Sequence, residues 1–291
     1  MGACGACVED GEAMILDPIH PSPTLRVLSL GAGVQSTVLA LLAARGEVGP
    51  MPHVAIFADT QFEPRAVYQH LDWLETQLPF PVHRVTAGDI RADHIAGLNS
   101  TGQRFASMPL YTAGGQGMGR RQCTSEYKIQ PIIKHTRELL GVKKGMRVPA
   151  NTVVEQWIGI SKDEITRAKR SSHSYIVHRW PLIELEWSRL DCQRWFAQCY
   201  PGRALAKSAC IACPYHDNAA WRAMRDNDPA SWEQAVVFDA AIRESGATLR
   251  GMHAQQYVHR QGVPLDQADL RTPADHGQLS FLDECEGMCG T

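Results

Sequence analysis

The sequence has no surplus of either charge: 29 Lys and Arg against 31 Asp and Glu leave a net charge of −2 over 291 residues. No global field therefore draws it to nucleic acid or a membrane surface, and an anionic partner must be met locally. It has no apolar run of about 18 residues, the length that spans a bilayer as a helix. The N-terminus lacks the basic start and apolar stretch of a secretory signal, which makes the cytoplasm the expected compartment. Internal repeats are absent, and the ordinary composition removes the collagen, coiled-coil and low-complexity classes. What remains is a length and a 44% hydrophobic content that suit one large α/β domain or two small ones.

Cysteine, by contrast, is abundant. Nine are present, at positions 4, 7, 123, 192, 199, 210, 213, 285 and 289. Disulfides rarely persist in a reducing compartment. The count is odd and the chain is long, so metal ligation or redox chemistry is the expected use.

Residues 1–24 hold Glu9, Asp10, Glu12 and Asp17, no Lys or Arg, and three prolines near their end, as a loose acidic leader would. From Leu25 the pattern changes. An apolar strand, Leu25 to Leu30, precedes a Gly-rich turn, a helical run from Thr37 to Ala44 closed by Gly46, and a second strand, Val54 to Ala58. This is a βαβ unit, which implies a parallel sheet with right-handed crossovers. A helix near Pro64 to Leu78 and a strand near Val82 to Val85 extend it. The glycine-rich stretch Gly97 to Gly119 is a candidate lid. Residues 120–147 then hold eight Lys and Arg against Glu126 and Glu138, whereas the chain from Val263 onward is acidic. The division expected is a leader (1–24), a nucleotide-binding α/β domain (25–205) and a helical C-terminal region (206–291).

The turn Ser29-Leu30-Gly31-Ala32-Gly33-Val34-Gln35-Ser36-Thr37 joins the first strand to its helix. Glycines let backbone N–H groups face an anion, and the helix N-terminus adds its positive end. A Walker A loop needs Gly-Lys-Ser/Thr, which is missing. A dinucleotide fingerprint needs a third glycine where Ser36 stands and an acid about 20 residues on, and Asp59 is too distant. The third reading is a PP-loop, the phosphate turn of ATP pyrophosphatases and their reductase relatives. A Gly-rich turn that binds nothing is the plain alternative.

Further segments, in order over about residues 25 to 240, resemble the PAPS reductase-like branch of the adenine nucleotide alpha hydrolase (PP-loop ATP pyrophosphatase) superfamily. They are Phe57-Ala58-Asp59-Thr60 with Glu63-Pro64; Arg121-Gln122-Cys123-Thr124 with Lys128-Ile129 and Pro131-Ile132; Gly159-Ile160-Ser161-Lys162-Asp163-Glu164 with Arg167; Trp180-Pro181-Leu182; and Cys210-Ile211-Ala212-Cys213-Pro214. The resemblance implies a Rossmann-like parallel sheet flanked by helices, with an adenine nucleotide, ATP or a sulfated one, at the C-terminal strand ends. Ser29, Gly31, Gly33, Ser36 and Thr37 would hold its phosphates, with Mg2+ as an accompanying ion, while Asp59 and Thr60 would face the nucleotide. The plain role for Asp59 is a helix N-cap.

Cys210-x-x-Cys213 has the ligand spacing of zinc and iron–sulfur sites. Cys123 matches a cluster-binding cysteine of the family, but Thr124 stands where cluster-bearing reductases have a second one. The fourth ligand expected is Cys289, with Cys285 close behind. A [4Fe-4S] cluster is the first reading and zinc the second, since both take thiolates. Cys192 and Cys199 are expected in the core, and His216 at the surface or as a helix cap.

The reaction implied is adenylyl or sulfur transfer from ATP to a nucleic acid or small acceptor, with Arg121, Lys128 and Arg167 near the transferred charge and a sulfur-donor protein as a partner. Sulfonucleotide reduction is the alternative, with Cys285 as its tail nucleophile. The tail Glu284-Cys285-Glu286-Gly287-Met288-Cys289 shares that family's Glu-Cys start but displaces its Gly and lacks its His. A noncatalytic, metal-stabilised nucleic-acid module using the basic 120–147 segment is the third reading.

Overall fold

The computed structural model describes residues 22–98, 108–113, 117–246 and 255–276. In chain order the elements are β1 (Leu25–Leu30), α1 (Val34–Ala44), β2 (Val54–Asp59), α2 (Arg65–Gln77), β3 (Val82–Thr86), α3 (Ile90–Ile95) and β4 (Tyr111–Thr112). A π-helical turn, Thr124–Ile129, leads into α4 (Gln130–Leu139). Then come β5 (Val154–Ile158), a 3-10 turn Lys162–Arg167, β6 (Ile176–Arg179), α5 (Pro181–Glu184), α6 (Arg189–Cys199), α7 (Asn218–Asn227), α8 (Pro229–Gly246) and β7 (Gln256–Tyr257).

The expected parallel α/β sheet is the one that forms. Five strands run parallel in the order β3-β2-β1-β5-β6. β1 and β2 are apolar on both faces because helices cover both. Val27 and Leu28 point to opposite sides: Leu28 joins Leu39, Leu42, Phe57 and Trp157 beneath α1, and Val27 joins Ile56, Ile132 and Val154 beneath α4. Chain order departs from β1 in both directions across the sheet. This makes the gap beyond the ends of β1 and β5 the switch point where open α/β sheets hold ligands. Pairing of Ser29 with Ile158 brings Gly159 alongside the turn after β1.

α1 starts at Val34, three residues before the apolar periodicity, because its polar first turn is drawn in by contacts described below. The C-terminal helices build a third core from Trp221, Phe238 and Ile242, shared with Phe62, Ile90 and Tyr127 of the sheet half. Ile211 N–H donates to the Phe62 carbonyl at 2.8 Å, fastening the region after residue 206 to the loop that leaves β2. Cys192 is fully buried as expected, but Cys199 is only half-buried. Most of the Gly97 to Gly119 stretch, and the acidic leader through residue 21, lie outside the described residues. Among the described residues no helix is long and apolar enough to cross a membrane.

Candidate nucleotide site

The turn after β1 is organised around one hydroxyl. Gly31 and Gly33 N–H groups both donate to Ser36 Oγ, at 3.2 and 3.3 Å. The Ser36 hydroxyl donates back to the Gly33 carbonyl at 3.4 Å. Ala32 between the glycines has φ 54°, a left-handed conformation that an L-residue adopts only at some cost in strain. Two backbone N–H groups are thereby gathered at the head of α1, where the next N–H groups also have no intrahelical acceptor. Behind them, Ser29 Oγ accepts from Gln156 Nε2 of β5 at 2.6 Å.

Close approach fixes the rest of the turn. A Cβ on Gly159 would lie 2.9 Å from both N and Cα of Ser36, and one on Gly33 would lie 3.1 Å from Ser208 Cβ. The turn is thus clasped between the end of β5 and the irregular segment before Cys210.

It opens into a cleft of about 480 Å³ lined by Ser29, Gly31, Gly33, Gln35, Ser36 and Gly159, among others. Six cationic side chains line it (Lys128, Arg167, Lys169, Arg170, Arg189 and Lys207) against two carboxylates, Glu164 and Asp217. Asp217 is committed to the α7 N-terminus, accepting from Ala220 N–H at 2.6 Å. Glu164 accepts from Arg167 at 2.6 Å and from Gln35 Nε2 at 3.0 Å. Burial raises the Glu164 carboxyl above its ordinary range, and Arg167 opposes that shift. The cleft lining therefore carries more positive than negative side chains beside the backbone N–H groups of the turn.

The residues expected in the site divide. Ser29, Gly31, Gly33, Ser36, Lys128 and Arg167 line the cleft. Thr37, Asp59, Thr60 and Arg121 do not. Thr37 Oγ1 is bound to His70 Nε2 at 2.9 Å inside the core. Asp59 Oδ1 accepts from Tyr68 OH and Gln61 N–H, each at 2.8 Å, so one carboxylate oxygen closes a turn. Thr60 Oγ1 donates to Glu63 Oε1 at 3.1 Å. Arg121 donates to Thr124 Oγ1 at 3.1 Å and lies over the Tyr215 ring. Of the basic 120–147 segment, Lys128 is the one cation lining the cleft, placed by the π-helical turn on the same side as Thr124.

The described cysteines near the cleft differ in their surroundings. Cys210 Sγ lies 3.6 Å from Glu63 Oε1 and 3.4 Å from Thr60 Oγ1. Burial first, and then the Glu63 carboxylate, push the Cys210 thiol well above its usual range, and Cys123 adds to the effect. Cys213 lines the cleft. Among the described residues no group of three or more His, Cys, Asp or Glu side chains could hold a metal ion. Cys123, Cys210 and Cys213 therefore do not form a closed metal site by themselves among the described residues. Cys285 and Cys289, as well as Cys4 and Cys7, lie outside the described residues.

Several site residues carry no sequence signal of their own. Lys207 and Ser208 enter the cleft because the chain before Cys210 crosses the turn, and the basic run Lys169 to His173 because it leads into β6. His216 is a cleft-wall residue and not a cap. Its Nε2–H donates to the Cys210 carbonyl at 3.0 Å, and burial lowers it to about 4.

No family model matches the chain, and no curated protein matches it. Among solved structures it is similar to the phosphoadenylyl-sulfate (PAPS) reductase from Candida auris in its phosphate complex. That match has 12% identity over 60% of this chain and 72% of the other, with a TM-score of 0.35.

Proposed function

We propose that the chain is an enzyme that binds an adenine nucleotide by its phosphate chain and transfers the adenylyl group of ATP to an acceptor. The observation that carries this is the turn itself: two glycine N–H groups converging on Ser36 Oγ at the head of α1, at the sheet's switch point, facing a cation-rich cleft. In the reaction an acceptor oxygen forms a bond to the α-phosphorus. The bond from that phosphorus to the pyrophosphate oxygen breaks, and pyrophosphate leaves with the electron pair. Backbone N–H groups and Ser36 position the phosphates, while Lys128, Arg167 and Lys207 stabilise charge on the leaving oxygens. No step runs through Cys123, Cys210 or Cys213.

Pyrophosphate release from ATP with Mg2+ is the test. Ser36→Ala removes the acceptor that gathers Gly31 and Gly33, and should weaken ATP binding about tenfold, the loss of one or two hydrogen bonds near a charged group. Unchanged ATP affinity in that variant would refute the phosphate assignment. Sulfite release from PAPS with a thiol reductant, without pyrophosphate from ATP, would replace the transferase reading by the reductase one.

A further inference from the structure

A second cleft, of about 400 Å³, adjoins the nucleotide cleft and shares Val34, Arg189 and Lys207 with it. One wall is a face of α6 bearing Arg189, Gln193 and Phe196, at the spacing that aligns side chains on a helix. The other wall is the segment from Arg203 to Lys207. Its charged lining residues are Arg189, Arg203 and Lys207, and no carboxylate lines it. Arg189 bridges the two spaces, donating from Nη1 to Gln35 Oε1 at 3.1 Å.

Arg203 is the most informative of these groups. Its guanidinium carbon lies 3.8 Å from the centre of the Trp73 ring, and among the described residues it has no carboxylate partner. A planar fork of N–H donors held over an indole suits the oxygens of a phosphate group better than a point charge would. Phe196, Leu205 and Ala206 make the remaining surface apolar, as an organic body attached to that phosphate requires.

We infer that this second cleft binds the acceptor, a phosphate ester whose phosphate is held by Arg203 and whose reacting end reaches the nucleotide past Arg189 and Lys207. The inference rests on the nucleotide reading above and names the acceptor class for it. A phosphate ester can be a small phosphorylated metabolite or the end of a nucleic-acid strand, and the two differ in how many phosphates the cations meet.

The test loads the full chain with a non-hydrolysable ATP analogue and titrates in ribose 5-phosphate or 5′-phosphorylated tetrathymidylate. Binding is followed at the Trp73 indole N–H resonance, identified by Trp73→Phe. Both probes should move that resonance. Arg203→Ala should weaken them about tenfold or more while ATP-analogue affinity stays within about twofold, and Arg203→Lys should recover part of the loss. Tighter binding of the strand with steep salt dependence assigns a nucleic-acid acceptor, and equal affinity for both assigns a small ester. A Trp73 resonance that neither probe moves, or wild-type affinity in Arg203→Ala, overturns the site. Failure of the ATP analogue to bind while the probes still shift Trp73 would instead remove the nucleotide reading and leave the anion site standing.

Discussion

Gly159 and Gly31 stand on neighbouring strand ends, yet the space beside each differs. A Cβ at 159 would press on the Ser36 backbone at 2.9 Å, where no flexible atom can yield, whereas one at 31 would meet only side-chain oxygens at 3.6 and 3.7 Å. Gly159→Ala should therefore cost about 1–3 kcal/mol, as overpacking does, and weaken ATP binding by displacing the head of α1. Gly31→Ala should unfold within about 0.5 kcal/mol of wild type, as a substitution without a clash does. Its new methyl faces the cleft, so it should lose nucleotide affinity. Urea melts with parallel ATP titrations separate the two, and equal melting of both variants would contradict the packing described. The glycines and Ser36 were legible in the sequence because a phosphate turn needs those residue types. Thr37 and Asp59 were not readable in the same way, because Thr37 Oγ1 is bound to His70 and Asp59 Oδ1 to Tyr68, both of α2, and nothing in the local sequence records which neighbour a helix will bring.

Between elements, that Thr37–His70 contact joins the first turn of α1 to α2 through the core. Burial holds His70 neutral, lowering it from 6.5 to about 4, and does the same to His94 on α3 and to His216. An imidazole that must stay neutral in the folded state contributes stability in full above its ordinary value of 6.5, and that stability fades as pH falls toward about 4. The urea midpoint should accordingly fall between about pH 7 and about pH 5, and His70→Gln should show a shallower fall. A midpoint flat across that range would contradict the burial of these rings. Element positions themselves were largely readable: β1 spans Leu25–Leu30 as its apolar run predicts, and α2 and β3 lie within a residue of expectation. Amphipathic period and turn residues set such boundaries locally. The π-helical turn that aims Lys128 at the cleft depends on packing against β2, and periodicity does not reveal it.

At the scale of the molecule, the cleft takes its walls from two stretches of chain far apart in sequence. Ser29 to Ser36, Gly159 and Arg167 belong to the sheet half, and Lys207 to Asp217 to the region fastened by Ile211 and the core around Trp221 and Phe238. A nucleotide seated between them contacts both, so its binding free energy should resist the separation of one from the other. Hydrogen exchange reads this directly, since local opening sets amide protection. Addition of a non-hydrolysable ATP analogue should slow exchange in residues 31–37 and also in residues 207–217, while α2, which lies outside the cleft lining, should change little. Protection confined to residues 31–37 would mean that the segment from Lys207 to Asp217 does not close on the ligand. The six-cation lining would then have to act without Lys207, and the path drawn from the nucleotide to the second cleft would lose one of the two cations that both spaces share.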